Sequence, residues 1–121
     1  MKISWKKTIA ISSMHESQLR RIKDALDFDT EMVAYKFCLT YAIANNLEDS
    51  TDPQIQRGTK WASGNFDDEE EVSHLLKALF PEEDDHQTLM MGKAEAGIER
   101  IHHLVDEFDV CSLTELLDVS A

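Results

Sequence analysis

Glu99 and His102 are spaced to do chemistry, three residues apart in the stretch Glu99-Arg100-Ile101-His102. That spacing sets both side chains on one face of a helix, the arrangement by which di-iron bundles hold metal. Such a centre needs a second pair and two further carboxylates from facing helices. His15 lacks a glutamate three residues earlier, and although Glu71–His74 and Glu83–His86 repeat the spacing, both glutamates belong to short acidic runs that read as helix starts. A solvated helix face is therefore expected, with no metal and no cofactor. Cys38 is a possible nucleophile, but it lies between Phe37 and Leu39 in an apolar stretch. A reactive thiol needs an electropositive, partly exposed setting, so Cys38 reads as a buried structural residue. Cys111 follows Asp109 closely, and that carboxylate disfavours a thiolate. The two cysteines fall in no metal or redox spacing. No G-x-S-x-G, no phosphate-cradling glycine loop and no Cys/His zinc pattern occurs. The expectation is a protein that is not an enzyme.

Binding is then the chemistry left, and charge says where. Residues 1–60 carry nine Lys/Arg against eight Asp/Glu, a balance of +1, whereas residues 61–121 carry three against sixteen, a balance of −13. A surface as acidic as the second half repels nucleic acid and anionic membranes at long range. Candidate phosphate contacts to double-stranded DNA are therefore confined to Lys6 and Lys7 (with Lys2 before them) and to Arg20, Arg21 and Lys23. Glu16, Asp24 and Asp27 offset them locally, and Arg20–Asp24 and Lys23–Asp27 have the i, i+4 spacing of helical ion pairs. The acidic runs 67–71 and 82–85 precede helical patterning and read as helix starts, where carboxylates complement the positive end of the helix dipole.

A length of 121 residues with 42% hydrophobic content predicts one domain, 1–121, with a modest core. No run approaches the ~18–20 apolar residues of a membrane span. The first residues carry charge without a following apolar region, so no secretory signal is indicated and a cytoplasmic protein with reduced thiols is expected. Four glycines and two prolines favour helices over a turn-rich β sandwich.

An extended stretch at 7–11 puts Ile9 and Ile11 on one face, and Ser13 with Glu16 forms a capping box opening a helix over 14–27. Leu19, Ile22 and Leu26 align along it. Asp29 or Thr30 caps a second helix, 30–46, which is apolar nearly all round and hence a central pillar or a subunit interface. The segment 47–66, punctuated by Pro53, Gly58 and Gly64, reads as a connection pinned by Trp61 and Phe66. Trp61 fits a core edge, while Trp5 suits a core edge or an interface equally. Asp67 with Glu70 opens a third helix, 68–80, ended by Pro81. A fourth, 86–107, carries Met90, Ala94, Gly97, Ile98, Ile101, Leu104 and Val105 on one stripe, and Ser112 with Glu115 opens a short terminal helix. The fold class expected is all-α, a bundle of about five helices with one short N-terminal strand.

The order strand, capped helix, apolar helix over the first 46 residues resembles the ribbon-helix-helix DNA-binding dimers, whose paired strands enter the major groove; Lys6, Thr8 and Ala10 would be the outward face. A longer pattern resembles the DndE family, the small helical component of bacterial DNA sulfur modification (phosphorothioation) systems. It runs through 11–23, the apolar helix 33–44, Gly64-Asn-Phe-Asp67, Ala96-Gly-Ile-Glu-Arg-Ile101 and Cys111-Ser-Leu-Thr-Glu-Leu-Leu117. This resemblance implies a ribbon-helix-helix-like helical protein that self-associates, joins other proteins in a DNA-modification or phage-defence complex, and can contact DNA. Lys6, Lys7, Arg20, Arg21 and Lys23 are the residues onto which that contact would carry over. The alternatives are a ribbon-helix-helix regulator or antitoxin, and an acidic inhibitor or immunity-type protein that blocks a basic partner.

Overall fold

The computed structural model describes residues 5–50 and 55–120; Lys2 and Pro53 lie outside them. Among the described residues, strands β1 (Thr8–Ser12) and β2 (Arg57–Ala62) and helices α1 (Ser13–Leu26), α2 (Glu31–Ala44), α3 (Ser63–Phe66), α4 (Glu71–Leu79), α5 (His86–Phe108) and α6 (Leu113–Ser120) follow one another. The fold is mostly helical, as expected, but the connecting segment contains a strand and a one-turn helix that the sequence did not announce.

Alternation sets β1: Ile9 and Ile11 are buried, while Thr8 and Ala10 are half-exposed. β1 pairs antiparallel with β2, with a bulge at Lys60 because Ile9 faces Trp61 and Ala10 faces Thr59. The bulge re-aims the Lys60 side chain out of the ladder. On the other edge, the Gln87 amide of α5 takes the Lys6 N–H (2.7 Å) and the Thr8 carbonyl (3.1 Å). β1 thus finds its strand partner inside the chain, and part of its second edge is already occupied.

Ser12, not Ser13, caps α1: its hydroxyl accepts the His15 N–H at 3.0 Å. Glu16 turns away from the helix start to Lys60. Thr30 caps α2, accepting the Val33 N–H at 3.1 Å. Asp67 is buried and serves α4 from a distance, its carboxylate accepting the Val72 and Ser73 N–H groups, the Ser73 hydroxyl and the Trp5 indole N–H. Asp85 caps α5 through Thr88; Ser112 caps α6 by accepting the Glu115 N–H, while the Glu115 carboxylate accepts the Cys111 N–H in place of the Ser112 N–H of the expected box.

One core joins these elements. Leu19, Ile22 and Leu26 of α1, Leu39 of α2, Met90, Ile98 and Ile101 of α5 and Leu116 of α6 are buried in it together with Ile9 and Phe66. α2 packs most extensively on α5 and also on α1, which accounts for much of its all-round apolarity without a second subunit. Tyr35 of α2 stacks edge-on to Trp61 and Phe66, with ring centroids 5.1 and 5.6 Å away. Its hydroxyl is buried without a hydrogen-bond partner among the described residues. Burial, helped by the nearby Glu95 carboxylate, pushes the phenol pKa far up. An unsatisfied buried hydroxyl costs about 1–3 kcal/mol. Tyr35→Phe should therefore keep or raise stability by up to about 1 kcal/mol in urea unfolding, with unchanged m. A clear loss would reveal a partner for the hydroxyl.

Candidate functional site

The basic residues singled out in the sequence do not form one open patch. Arg20 is exposed, but its guanidinium lies 3.5 Å from Glu16 and 3.6 Å from Glu31. Arg21 points to the opposite flank of α1 and meets Asp106 of α5 at 3.3 Å. Lys23 lies 3.8 Å from Asp24. The i, i+4 pairs with Asp24 and Asp27 do not form; Asp27 has left the helix in a left-handed conformation (φ 60°). Lys6 and Lys7 are exposed before β1, where Lys6 sits beside the start of α5. Gln87 and Asp106 are nineteen residues apart on α5, so Lys6 and Arg21 are separated by about 28 Å along a helix rising 1.5 Å per residue.

Lys60 completes the neutralisation. Its ammonium donates to Glu16 at 2.5 Å and to Glu31 at 2.9 Å. Partial burial lowers its pKa, but the two carboxylates outweigh that and hold it above the ordinary lysine value. The Lys60 hydrogen bond in turn holds the Glu16 carboxyl below its usual range. A depressed carboxyl stabilises the fold above its unfolded pKa, near 4.5, and the benefit fades as pH falls through the folded value. Lys60→Met should thus lower the melting temperature by about 4 °C at pH 7, for a loss of about 1 kcal/mol. The difference should shrink as pH falls below about 4.5 and Glu16 takes up its proton.

Glu99 and His102, the pair with metal spacing, serve different partners. Glu99 accepts from Ser50 at 2.6 Å and binds His15 Nε2 at 2.7 Å, while His102 lies 3.1 Å from Asp106. His15 is buried, with Nδ1 2.6 Å from the Ser12 hydroxyl. Ser12, His15 and Glu99 line up as a nucleophile, base and acid would. Ser12 is buried, however, and its oxygen is engaged as the α1 cap, so this chain ties α1 to α5 rather than presenting a nucleophile. Cys38 is buried and its thiol pKa is driven far up by that burial. Cys111 is exposed, its thiol pKa raised by a hydrogen bond to Glu115 and by Asp109.

The depressions on the described surface include a small one of about 320 Å³ beside Phe80 and Pro81 and two larger ones. A cleft of about 780 Å³ lies between the chain after α2 and α5, with Ser50, Glu99, Arg100 and His103 on its walls. Its central carboxylate, Glu99, is committed to His15 and Ser50. The second, about 510 Å³, is an apolar groove between α2 and α4. Val33, Phe37 and Thr40 form its α2 wall at i, i+4 and i+7, Val72 and Leu75 form the α4 wall, and Phe28 abuts Phe37 with ring centroids 5.2 Å apart. Val33 is 48% exposed. One charged pair crosses the groove, Lys36 to Glu71 at 3.0 Å.

Comparison adds no relative. No family model, curated protein or solved structure matches the chain. Function must therefore be argued from these surfaces. The sequence signal for the groove is the near all-round apolarity of α2, which reads as a central pillar or a subunit interface; packing on α1 and α5 leaves part of that surface open.

Among the described residues, no helix is long and apolar enough to cross a membrane.

Proposed function

We propose that this chain is a non-catalytic interaction subunit that joins its assembly through a protein contact. The observation that carries the reading is the open apolar groove of α2 and α4, a stripe left uncovered by the rest of the described chain. Supporting it, the titratable groups with catalytic spacing are engaged in capping and in ties between elements. The resemblance to the DndE family suggests the setting, a bacterial DNA-modification or phage-defence complex.

Direct DNA contact has less support than protein contact. Arg20, Arg21 and Lys23 would each have to exchange a carboxylate for a phosphate, and Lys6 and Lys7 remain the more accessible cations. The ribbon-helix-helix reading is further weakened by the Gln87 side chain on the free edge of β1.

The test is native mass spectrometry of the chain purified from its own cells, alongside fluorescence anisotropy with a short DNA duplex. One protein partner at fixed stoichiometry is expected, with DNA binding no tighter than the non-specific range of about 10⁻⁴–10⁻⁶ M at physiological salt. Absence of any stoichiometric protein, or tight sequence-specific DNA binding abolished by Arg20→Glu with Arg21→Glu, would overturn the reading.

A further inference from the structure

We infer that the groove between α2 and α4 receives a cationic amphipathic helix from a protein partner. The inference rests on the protein-binding reading above and gives its surface and its ligand chemistry.

The shape comes first. From Val33 to Thr40 the α2 wall extends about 10 Å, two helical turns, which matches the apolar stripe of a helix carrying side chains at i, i+3 or i+4, and i+7. The trough is open along its length, so a small apolar molecule would leave much of its surface wet, unlike a ligand in an enclosed pocket.

Charge then selects the occupant. Asp29 adjoins the groove-lining Phe28, and Asp68 and Glu69 shortly precede the groove-lining Glu71. All three are exposed and have no ion-pair partner among the described residues. The groove's own cation, Lys36, is held by Glu71 and lies 5.0 Å from the centre of the Phe66 ring. A second copy of this chain is a poor occupant, because each copy carries a net charge of −12 and the copies repel. Its most exposed apolar helix, α6 with Leu113 and Leu117, also bears Glu115 and Asp118, the same sign as the groove's surroundings. Lysines or arginines beside an apolar stripe would instead meet Asp29, Asp68 and Glu69.

The experiment uses the full chain and three synthetic helical peptides in fluorescence anisotropy. One has a leucine stripe flanked by lysines, one has glutamates in place of the lysines, and one keeps the lysines with the leucines scrambled. The first should bind at least about tenfold more tightly than either of the others, since like charges set face to face and a lost apolar anchor are each costly. Val33→Arg with Thr40→Arg alters two exposed positions and should abolish that binding while the melting temperature stays near wild type. Asp68→Lys with Glu69→Lys should weaken the lysine peptide and strengthen the glutamate peptide. Equal binding of the scrambled peptide, or binding indifferent to Val33→Arg with Thr40→Arg, would overturn the inference. So would sedimentation showing a dimer that those arginines dissociate. A native partner retained by the double-arginine chain would remove the groove assignment and leave the protein-binding reading standing; no native partner at all would remove both.

Discussion

Gly97→Ala is expected to destabilise the protein by about 3 kcal/mol and to lower its melting temperature by on the order of 10 °C. A Cβ at Gly97 would stand 2.1 Å from the Cys38 carbonyl oxygen and 2.8 Å from its carbon. Both atoms belong to the α2 backbone, so no side-chain rotation relieves the clash, and α2 and α5 must separate where they pack most extensively. Local preference runs the other way: within a helix, alanine is favoured over glycine by about 1 kcal/mol. A net loss therefore reports the helix crossing and not the helix itself. Cys38→Ala in the same background should give no rescue, because the struck atoms remain. Thermal melts followed by circular dichroism check both statements, and a Gly97→Ala protein as stable as wild type would show that the helices do not cross this closely.

The same crossing shows what could be read from the sequence. α1, α2, α5 and α6 were legible because caps and 3.6-residue periodicity are local signals, and the Met90–Val105 stripe points inward as expected. Gly97 was legible as a member of that stripe but not as the contact point, since its partner atom is a backbone oxygen fifty-nine positions earlier. β2 was illegible for a related reason. Arg57–Ala62 shows no alternation of buried and exposed residues, being half-exposed to exposed throughout, and its identity comes from pairing with β1. The capping box expected at Ser13 and Glu16 does not form: Ser12 is the cap, and Glu16 bonds Lys60, a partner that exists only once β2 is in place.

For the candidate surfaces the balance is similar. Composition located the basic residues, but the expected Lys23–Asp27 pair assumed a helix that continues, whereas it stops at Leu26, and the expected Arg20–Asp24 pair is replaced because Glu16 and Glu31 hold the Arg20 guanidinium. Of the actual partners, Glu16 for Arg20 lies one turn earlier on α1, while Glu31 for Arg20 and Asp106 for Arg21 come from other elements. The groove was half legible: the excess apolarity of α2 was visible, and the stripe left uncovered depends on where α4 lies.

The largest loss is expected from Arg57→Ala, about 3–5 kcal/mol, a large share of the roughly 5–15 kcal/mol that a domain has in total. Glu95 is 1% exposed on α5, and the Arg57 guanidinium at the start of β2 grips both its oxygens at 2.8 Å. Removing the arginine leaves a buried carboxylate 3.8 Å from His15 Nδ1 and near the Tyr35 ring, with nothing that replaces two charge-assisted hydrogen bonds. Glu95→Ala should cost less, because Arg57 retains 17% side-chain exposure and can turn its charge toward water. Replacing both with leucine should return stability to near the wild-type value, since the desolvation of two ions is lost along with their attraction. The order expected in urea unfolding is Arg57→Ala lowest, then Glu95→Ala, then the double leucine variant beside wild type. Simple additivity of the single losses would mean that the two groups do not act as a pair. Because this pair fastens β2 to α5, its loss should also loosen Lys60 from Glu16 and Glu31. The acid-dependent part of the stability should then shrink in Arg57→Ala, linking the buried pair to the exposed charges that hold Arg20 away from solvent anions.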